Sequence, residues 1–298
     1  NGTFQTQQTF ATGSLPFSVT IGDVNGDGRL DIITANYSSN NASVLLGNGD
    51  GTFQTQQTFA AGSLPFSVSL GDVNGDGRLD IITANGSSNN VSVLLGNGNG
   101  TFQTQQTFAT GSQPRSVALG DLNGDGRLDI VSANSSSTSN NAGVLLGTGG
   151  SAITATFSPQ QTFATDLAPF SVSLGDVNGD GRLDIITANN SSRNLVSVLL
   201  GNCDGTFQTQ QTFATGSLPS SVTLGDVNGD GRLDIITANE NSNNASVLLG
   251  NGNGTFLPKT DFATGTYPVS GALGDVNGDG RLDIINISSN KASVLLGN

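Results

Sequence analysis

Histidine, methionine and tryptophan are absent from the 298 residues, and cysteine occurs once, at Cys203. Each absence excludes something. Without histidine the commonest general acid–base is gone. A lone cysteine permits no internal disulfide, and with no histidine beside it there is no zinc cluster of nitrogen and sulfur ligands. Cys203 also has no partner or base near it in sequence, so it is not read as a nucleophile. Basic residues are few: ten Lys and Arg stand against 23 Asp and Glu, a formal charge of −13. Six of the ten lie inside acidic loops, which argues against nucleic acid as a partner. No apolar run approaches the ~18 residues of a membrane-spanning helix, so membrane insertion is not expected. The chain opens at Asn1 with no visible leader, which reads as a mature product or an excised piece.

What is abundant is glycine, at 42 residues, together with Asn, Ser and Thr. Such a chain could stay disordered, but its apolar residues fall in short, evenly spaced runs such as Ile32-Ile33 and Val44-Leu45-Leu46. That is the pattern of strands between turns. The loop Asp-Val-Asn-Gly-Asp-Gly-Arg-Leu-Asp recurs six times, once with Leu for Val, starting at Asp23, Asp72, Asp121, Asp176, Asp226 and Asp275. The intervals of 49, 49, 55, 50 and 49 residues mark a repeat protein. One such unit is too small to bury a core alone, so 1–298 is read as a single domain.

Within a repeat, 18–22 alternates apolar and small residues and predicts a first strand, A. The acidic loop follows. Residues 31–35 and 43–47 predict strands B and C, separated by Asn/Ser turn chemistry. Residues 52–60, rich in Thr and Gln, predict a polar strand D suited to a solvated edge. The expected fold is all-β, a six-bladed β-propeller of four-stranded antiparallel blades. The chain ends on a strand C and begins on a strand D. The expected ring therefore closes with a sixth blade shared between 1–12 and 267–298, three strands from one terminus and one from the other.

Loop positions 1, 3, 5 and 9 carry side-chain oxygens, position 7 offers its backbone carbonyl, and Gly at 6 permits a sharp turn. This suits a hard cation with six or seven oxygen ligands, and Ca²⁺ better than the smaller Mg²⁺. The candidate ligands are Asp23, Asn25, Asp27, Arg29 and Asp31 in the first loop and Asp72, Asn74, Asp76, Arg78 and Asp80 in the second. The third offers Asp121, Asn123, Asp125, Arg127 and Asp129, and the fourth Asp176, Asn178, Asp180, Arg182 and Asp184. The last two offer Asp226, Asn228, Asp230, Arg232 and Asp234, then Asp275, Asn277, Asp279, Arg281 and Asp283. Each Arg would serve through its carbonyl. An EF-hand is rejected, because its Glu at position 12 is replaced by Thr, Ser or Asn and the flanks are strand-like. A metal-free acidic turn is the other reading, but it leaves three carboxylates in nine residues uncompensated. The loops hold 18 of the 23 acids. Six divalent ions, one per blade, carry twelve positive charges and would bring −13 to −1.

The motif Asp-x-Asn-x-Asp-Gly-x-x-Asp between two strands, in units near 50 residues, resembles the FG-GAP/VCBS repeat of integrin α-subunit propellers. The resemblance covers the whole chain. It implies Ca²⁺ in each A–B loop and an extracellular or cell-surface setting, as in secreted bacterial proteins and some fungal lectins. Two departures stand out. Those relatives usually have seven blades, and integrin loops outside the metal motif are far more diversified.

In a four-stranded antiparallel blade the A–B and C–D loops share one end, and the B–C and D–A loops share the other. The copies differ most at the second end, where loops on a rigid scaffold commonly bind. Tyr37, Arg115, Arg193, Glu240 and Tyr267 are the candidate ligand residues there. Loop variation of this kind also arises where nothing binds. Phe17, Phe66 and Phe170 are read as packing between blades, and the longer turn at 148–155 as a surface insertion. The expected function is a non-catalytic, calcium-stabilised binding or adhesion module with a carbohydrate (lectin-like) or protein ligand. The alternative is a structural spacer in a larger surface protein. A polysaccharide-degrading enzyme is disfavoured, since only five acids, widely scattered, lie outside the loops.

Overall fold

A computed structural model describes residues 6–136, 140–288 and 291–297. Among them there is no helix; every assigned element is a strand. The strands follow the repeat. The first blade is β1 (Pro16–Gly22), β2 (Asp31–Asn36), β3 (Asn41–Leu45) and β4 (Gln57–Ala60), hydrogen-bonded in that order. The second is β5 (Pro65–Gly71), β6 (Asp80–Asn85), β7 (Asn90–Leu94) and β8 (Gln106–Ala109). The third is β9 (Pro114–Gly120), β10 (Asp129–Ser135), β11 (Asn140–Leu145) and β14 (Gln161–Ala164). Between its last two strands stands a separate hairpin, β12 (Gly147–Ser151) with β13 (Thr154–Phe157). The fourth is β15 (Pro169–Gly175), β16 (Asp184–Asn189), β17 (Leu195–Leu199) and β18 (Gln211–Ala214). The fifth is β19 (Pro219–Gly225), β20 (Asp234–Asn239), β21 (Asn244–Leu248) and β22 (Thr260–Ala263). The sixth shows β23 (Ser270–Gly274), β24 (Asp283–Ser288) and β25 (Lys291–Leu295). Each pairing whose register is set among the described residues is antiparallel, as expected of β-propeller blades.

Two differences from the expectation concern strand D. It is shorter: regular pairing covers only its last four residues, and Phe53 touches Gly47 by a single bridge. Just before that paired stretch, Gln56 Oε1 accepts the Ser43 hydroxyl at 2.6 Å. In the sixth blade, the expected closing strand and its turn involve 1–5 and Asn298, which lie outside the described residues; 6–12 carry no assigned strand.

The chain divides into two compact units, one of Gln7–Ser139 with Gly143–Thr162, the other of Asn1–Thr6, Asn140–Ala142 and Phe163–Asn298. In each, the core lies between neighbouring blades. Strand B and C residues such as Ile33, Val44, Ile81 and Leu94 are fully buried in the first unit, and Ile186, Val198, Ile235 and Leu248 in the second. Close approach of blades depends on glycine at the end of strand A. A Cβ on Gly71 would lie 2.7 Å from Leu128 and 2.8 Å from Leu119. Leu128 is position 8 of an acidic loop, so that leucine packs its loop against the core shared with the neighbouring blade. Edge-on phenylalanine pairs, Phe59 with Phe102 at 5.2 Å and Phe213 with Phe256 at 5.1 Å, tie outer strands to the next blade.

Candidate functional site

The acidic loops all adopt one geometry. In the first, Asp23 Oδ1 accepts the Gly26 and Asp27 N–H groups at 2.8 and 3.1 Å, and Oδ2 accepts Gly28 N–H at 2.7 Å. Asn25 Oδ1 accepts Asp27 N–H at 3.0 Å, while its amide donates to Asp27 Oδ2 at 3.0 Å. Asp27 Oδ1 accepts Arg29 N–H at 2.9 Å. Asp31 reaches the other way. Its oxygens accept Val24 N–H at 2.9 Å and Gly47 N–H at 2.8 Å, tying the loop to the end of strand C. Gly26 and Gly28, at φ +75° and +80°, supply the left-handed turns this winding needs.

These contacts shape the electrostatics. The Gly28 N–H, foremost among the loop donors, holds Asp23 below the usual carboxylate range, and Gly280 does the same for Asp275. Four of the position-9 aspartates, Asp80, Asp129, Asp184 and Asp234, move oppositely. Burial pushes Asp80, Asp129 and Asp184 up to about 6 against two backbone donors each, and the neighbouring carboxylates at positions 5 and 1 add repulsion. Arg127 partly answers this in the third loop, meeting Asp125 at 3.2 Å. Among the described residues no three His, Cys, Asp or Glu side chains are gathered as a cation cluster. Position 3 is an Asn, and position 9 is turned onto backbone N–H groups. The donor set that faces the loop is nevertheless all oxygen, from carboxylate and amide, and fits a hard divalent ion with no competing nitrogen or sulfur.

At the other end of the blades, the first unit brings together two of the five candidate ligand residues. Tyr37 sits with its ring 4.9 Å from Phe66, and the Arg115 guanidinium stacks 4.1 Å from the centre of the same ring. Phe17 completes the group, 5.1 Å from Phe66 and 6.0 Å from Tyr37. Phe66, 8% exposed, packs between blades, as the sequence suggested; Phe17 meets it there edge-on and keeps its outer face in solvent, 54% exposed. Gly86 makes room, since a Cβ there would lie 2.5 Å from the Phe66 ring. Arg193 instead pairs with Asp166 at 2.7 Å. The signal for that pair was present in the sequence: Asp166 stands where the other D–A turns carry glycine, beside a longer B–C loop. Glu240 donates its N–H to Leu218 O, and Tyr267 is exposed at φ +53°; neither joins a cluster with another candidate.

Repeated antiparallel blades with an Asp-rich loop after each first strand define a class, the bladed all-β repeat proteins. Within it the chain belongs to the FG-GAP-like repeat family, whose model matches 1–34, 23–83, 72–132, 121–187, 176–237 and 226–285. No curated protein matches the chain. Several solved structures share the fold. An Agrocybe aegerita lectin, described as recognising non-reducing terminal N-acetylglucosamine, is 21% identical with a TM-score of 0.61, covering 94% of this chain and 76% of its own. BBS1N, solved in complex with ARL6DN, is 11% identical with a TM-score of 0.63, covering 96% and 79%. A V. cholerae biofilm matrix protein is 17% identical with a TM-score of 0.53, covering 88% of this chain and 41% of its own.

Proposed function

We propose that this protein is a non-catalytic extracellular binding module whose blades are stiffened by calcium and whose ligand is carbohydrate. The observation that carries the ligand is the Phe17–Tyr37–Phe66–Arg115 cluster. An exposed ring beside a phenol and a stacked guanidinium offers an apolar face for a sugar ring and polar groups for its hydroxyls. The fungal lectin shares only the fold at its identity, so the cluster bears the weight. Calcium is supported by the oxygen-only donor set and by carboxylates crowded in each loop. An extracellular setting follows from calcium sites that fill near millimolar concentrations. The missing histidine and the scattered remaining acids argue against catalysis. The second reading, a spacer without a ligand, is favoured by the near-identity of the repeats.

A glycan array probed in millimolar calcium separates the two. Binding to a defined saccharide, weakened about tenfold or more by Phe17→Ala or Tyr37→Ala, is expected. Silence across soluble and surface-type glycans would support the spacer, and binding indifferent to both substitutions would move the site elsewhere.

A further inference from the structure

The acidic loop of the second blade is covered by a hairpin where the first and fourth loops meet only a tight turn. At the first and fourth loops the C–D turn of the next blade meets the loop through backbone, Gly100 N–H donating to Val24 O at 3.3 Å and Gly254 N–H to Val177 O at 3.2 Å. Over the second loop stands the β12–β13 hairpin. The Asn74 side-chain amide donates to Ser151 O at 2.8 Å as well as to Asp76 Oδ2 at 3.2 Å. Gln103 donates to Ala152 O at 2.7 Å, and Gln106 Oε1 accepts Ala155 N–H at 3.2 Å, so the hairpin is pinned to the second blade's outer run. Gly150 comes so close that a Cβ there would lie 3.0 Å from the Asn74 Cβ. As a result Asn74 is 8% exposed and Asp76 half-buried. The matching aspartates Asp27, Asp125, Asp180, Asp230 and Asp279 are all exposed. A cavity of about 150 Å³ remains between hairpin and loop, with Asp72, Asn74, Gly149 and Arg127 in its wall.

We propose that this loop is a capped cation site that holds a hard divalent ion more tightly, and releases it more slowly, than the other five loops. The proposal rests on the calcium reading above. Its grounds are specific to this blade. With the amide nitrogen of Asn74 spent on Ser151, its Oδ1 is fixed as the acceptor at loop position 3 and the side chain cannot flip. Carboxylates withdrawn from water attract a cation more strongly than solvated ones. Exit of the ion requires the hairpin to lift, which breaks the Asn74 and Gln103 contacts together.

Terbium serves as the luminescent probe of the intact chain, chased with excess chelator in stopped flow. One ion of six is expected to leave at least about tenfold more slowly than the rest, equivalent to ~1.4 kcal/mol. Replacing 148–155 by Asn-Gly-Asn-Gly, the turn of the second and fifth repeats, should merge the slow phase with the fast one. Should that variant misfold, Gln103→Ala with Gln106→Ala unpins the hairpin at unchanged length and should have the same effect. Asp72→Asn with Asp76→Asn should delete the slow amplitude and leave the fast amplitude intact. Uniform release from the unaltered protein, or a slow phase that survives both hairpin variants, overturns the capped site alone. Absence of any terbium uptake overturns the calcium reading and this proposal with it.

Discussion

At the scale of single residues, the D–A turns are built on backbone that L-residues rarely adopt. The residue before the turn proline lies at φ between +49° and +56° in all six copies: Leu15, Leu64, Gln113, Ala168, Leu218 and Tyr267. A non-glycine residue there costs on the order of 1 kcal/mol. At the last five of these an asparagine from the preceding repeat offsets it, as where Asn89 Oδ1 accepts Gln113 N–H at 2.9 Å and Asn243 Oδ1 accepts Tyr267 N–H at 2.8 Å. Cys203 has no such compensation. It sits at φ +72°, where the matching turns carry Gly49, Gly98 and Gly252, and its thiol is exposed. Cys203→Gly should therefore raise the urea midpoint by the equivalent of ~0.5–1 kcal/mol, after allowing for the larger unfolded-state entropy of glycine. An unchanged or lowered midpoint would mean the cysteine makes a contact that repays its strain.

At the scale of strands, the first, second, fourth and fifth blades each enclose a polar rung within an apolar sheet. In the second blade Thr83 Oγ1 donates to Asn85 Oδ1 at 3.0 Å, and the Asn85 amide donates to Asn90 Oδ1 at 2.9 Å and Ser92 Oγ at 2.8 Å. Ser92 in turn donates to Gln105, so one chain of bonds crosses strands B and C to the outer run. Asn85→Ala should cost roughly 2–4 kcal/mol, because it leaves buried donors and acceptors without partners; calorimetry against an exposed control such as Asn241→Ala measures it. The strands themselves were legible, since alternation and turn residues repeat six times over. The rung was not, because Thr, Asn and Ser in apolar runs read as solvated until the register sets them opposite one another. The aromatic cluster was half legible. Tyr37 and Arg115 stood out as deviations from the repeat, but only the packing of neighbouring blades brings both onto Phe66 and leaves one face of Phe17 in solvent. The cap on Asn74 was legible only as an insertion, because sequence does not say which loop a turn from the next repeat will cover.

At the scale of the whole molecule, six acidic loops hold most of the net charge of −13. Without a counter-ion each loop confines three carboxylates, one of them buried, and that self-repulsion opposes the folded state. An ion that binds only the folded chain reverses the sign. A site filled at about one hundred times its dissociation constant contributes ~2.7 kcal/mol. Even one such site shifts the midpoint of a protein this large by several degrees, since ~1 kcal/mol moves a domain of 150–250 residues by about 2–4 °C. Chelation at constant ionic strength should therefore lower the melting temperature by at least about 5 °C and broaden the transition, as loops with unequal occupancy fail separately. Calcium should restore the original melt in full, and magnesium at equal concentration only in part, because it gives up its waters reluctantly and tolerates these mixed loops poorly. Sodium chloride at matched ionic strength is the control that separates site binding from general screening. A melt that chelator leaves unmoved, or that sodium restores as well as calcium, would mean the loops are held by their own backbone donors, with Asp31 and its counterparts acting as hydrogen-bonded struts and no ion required.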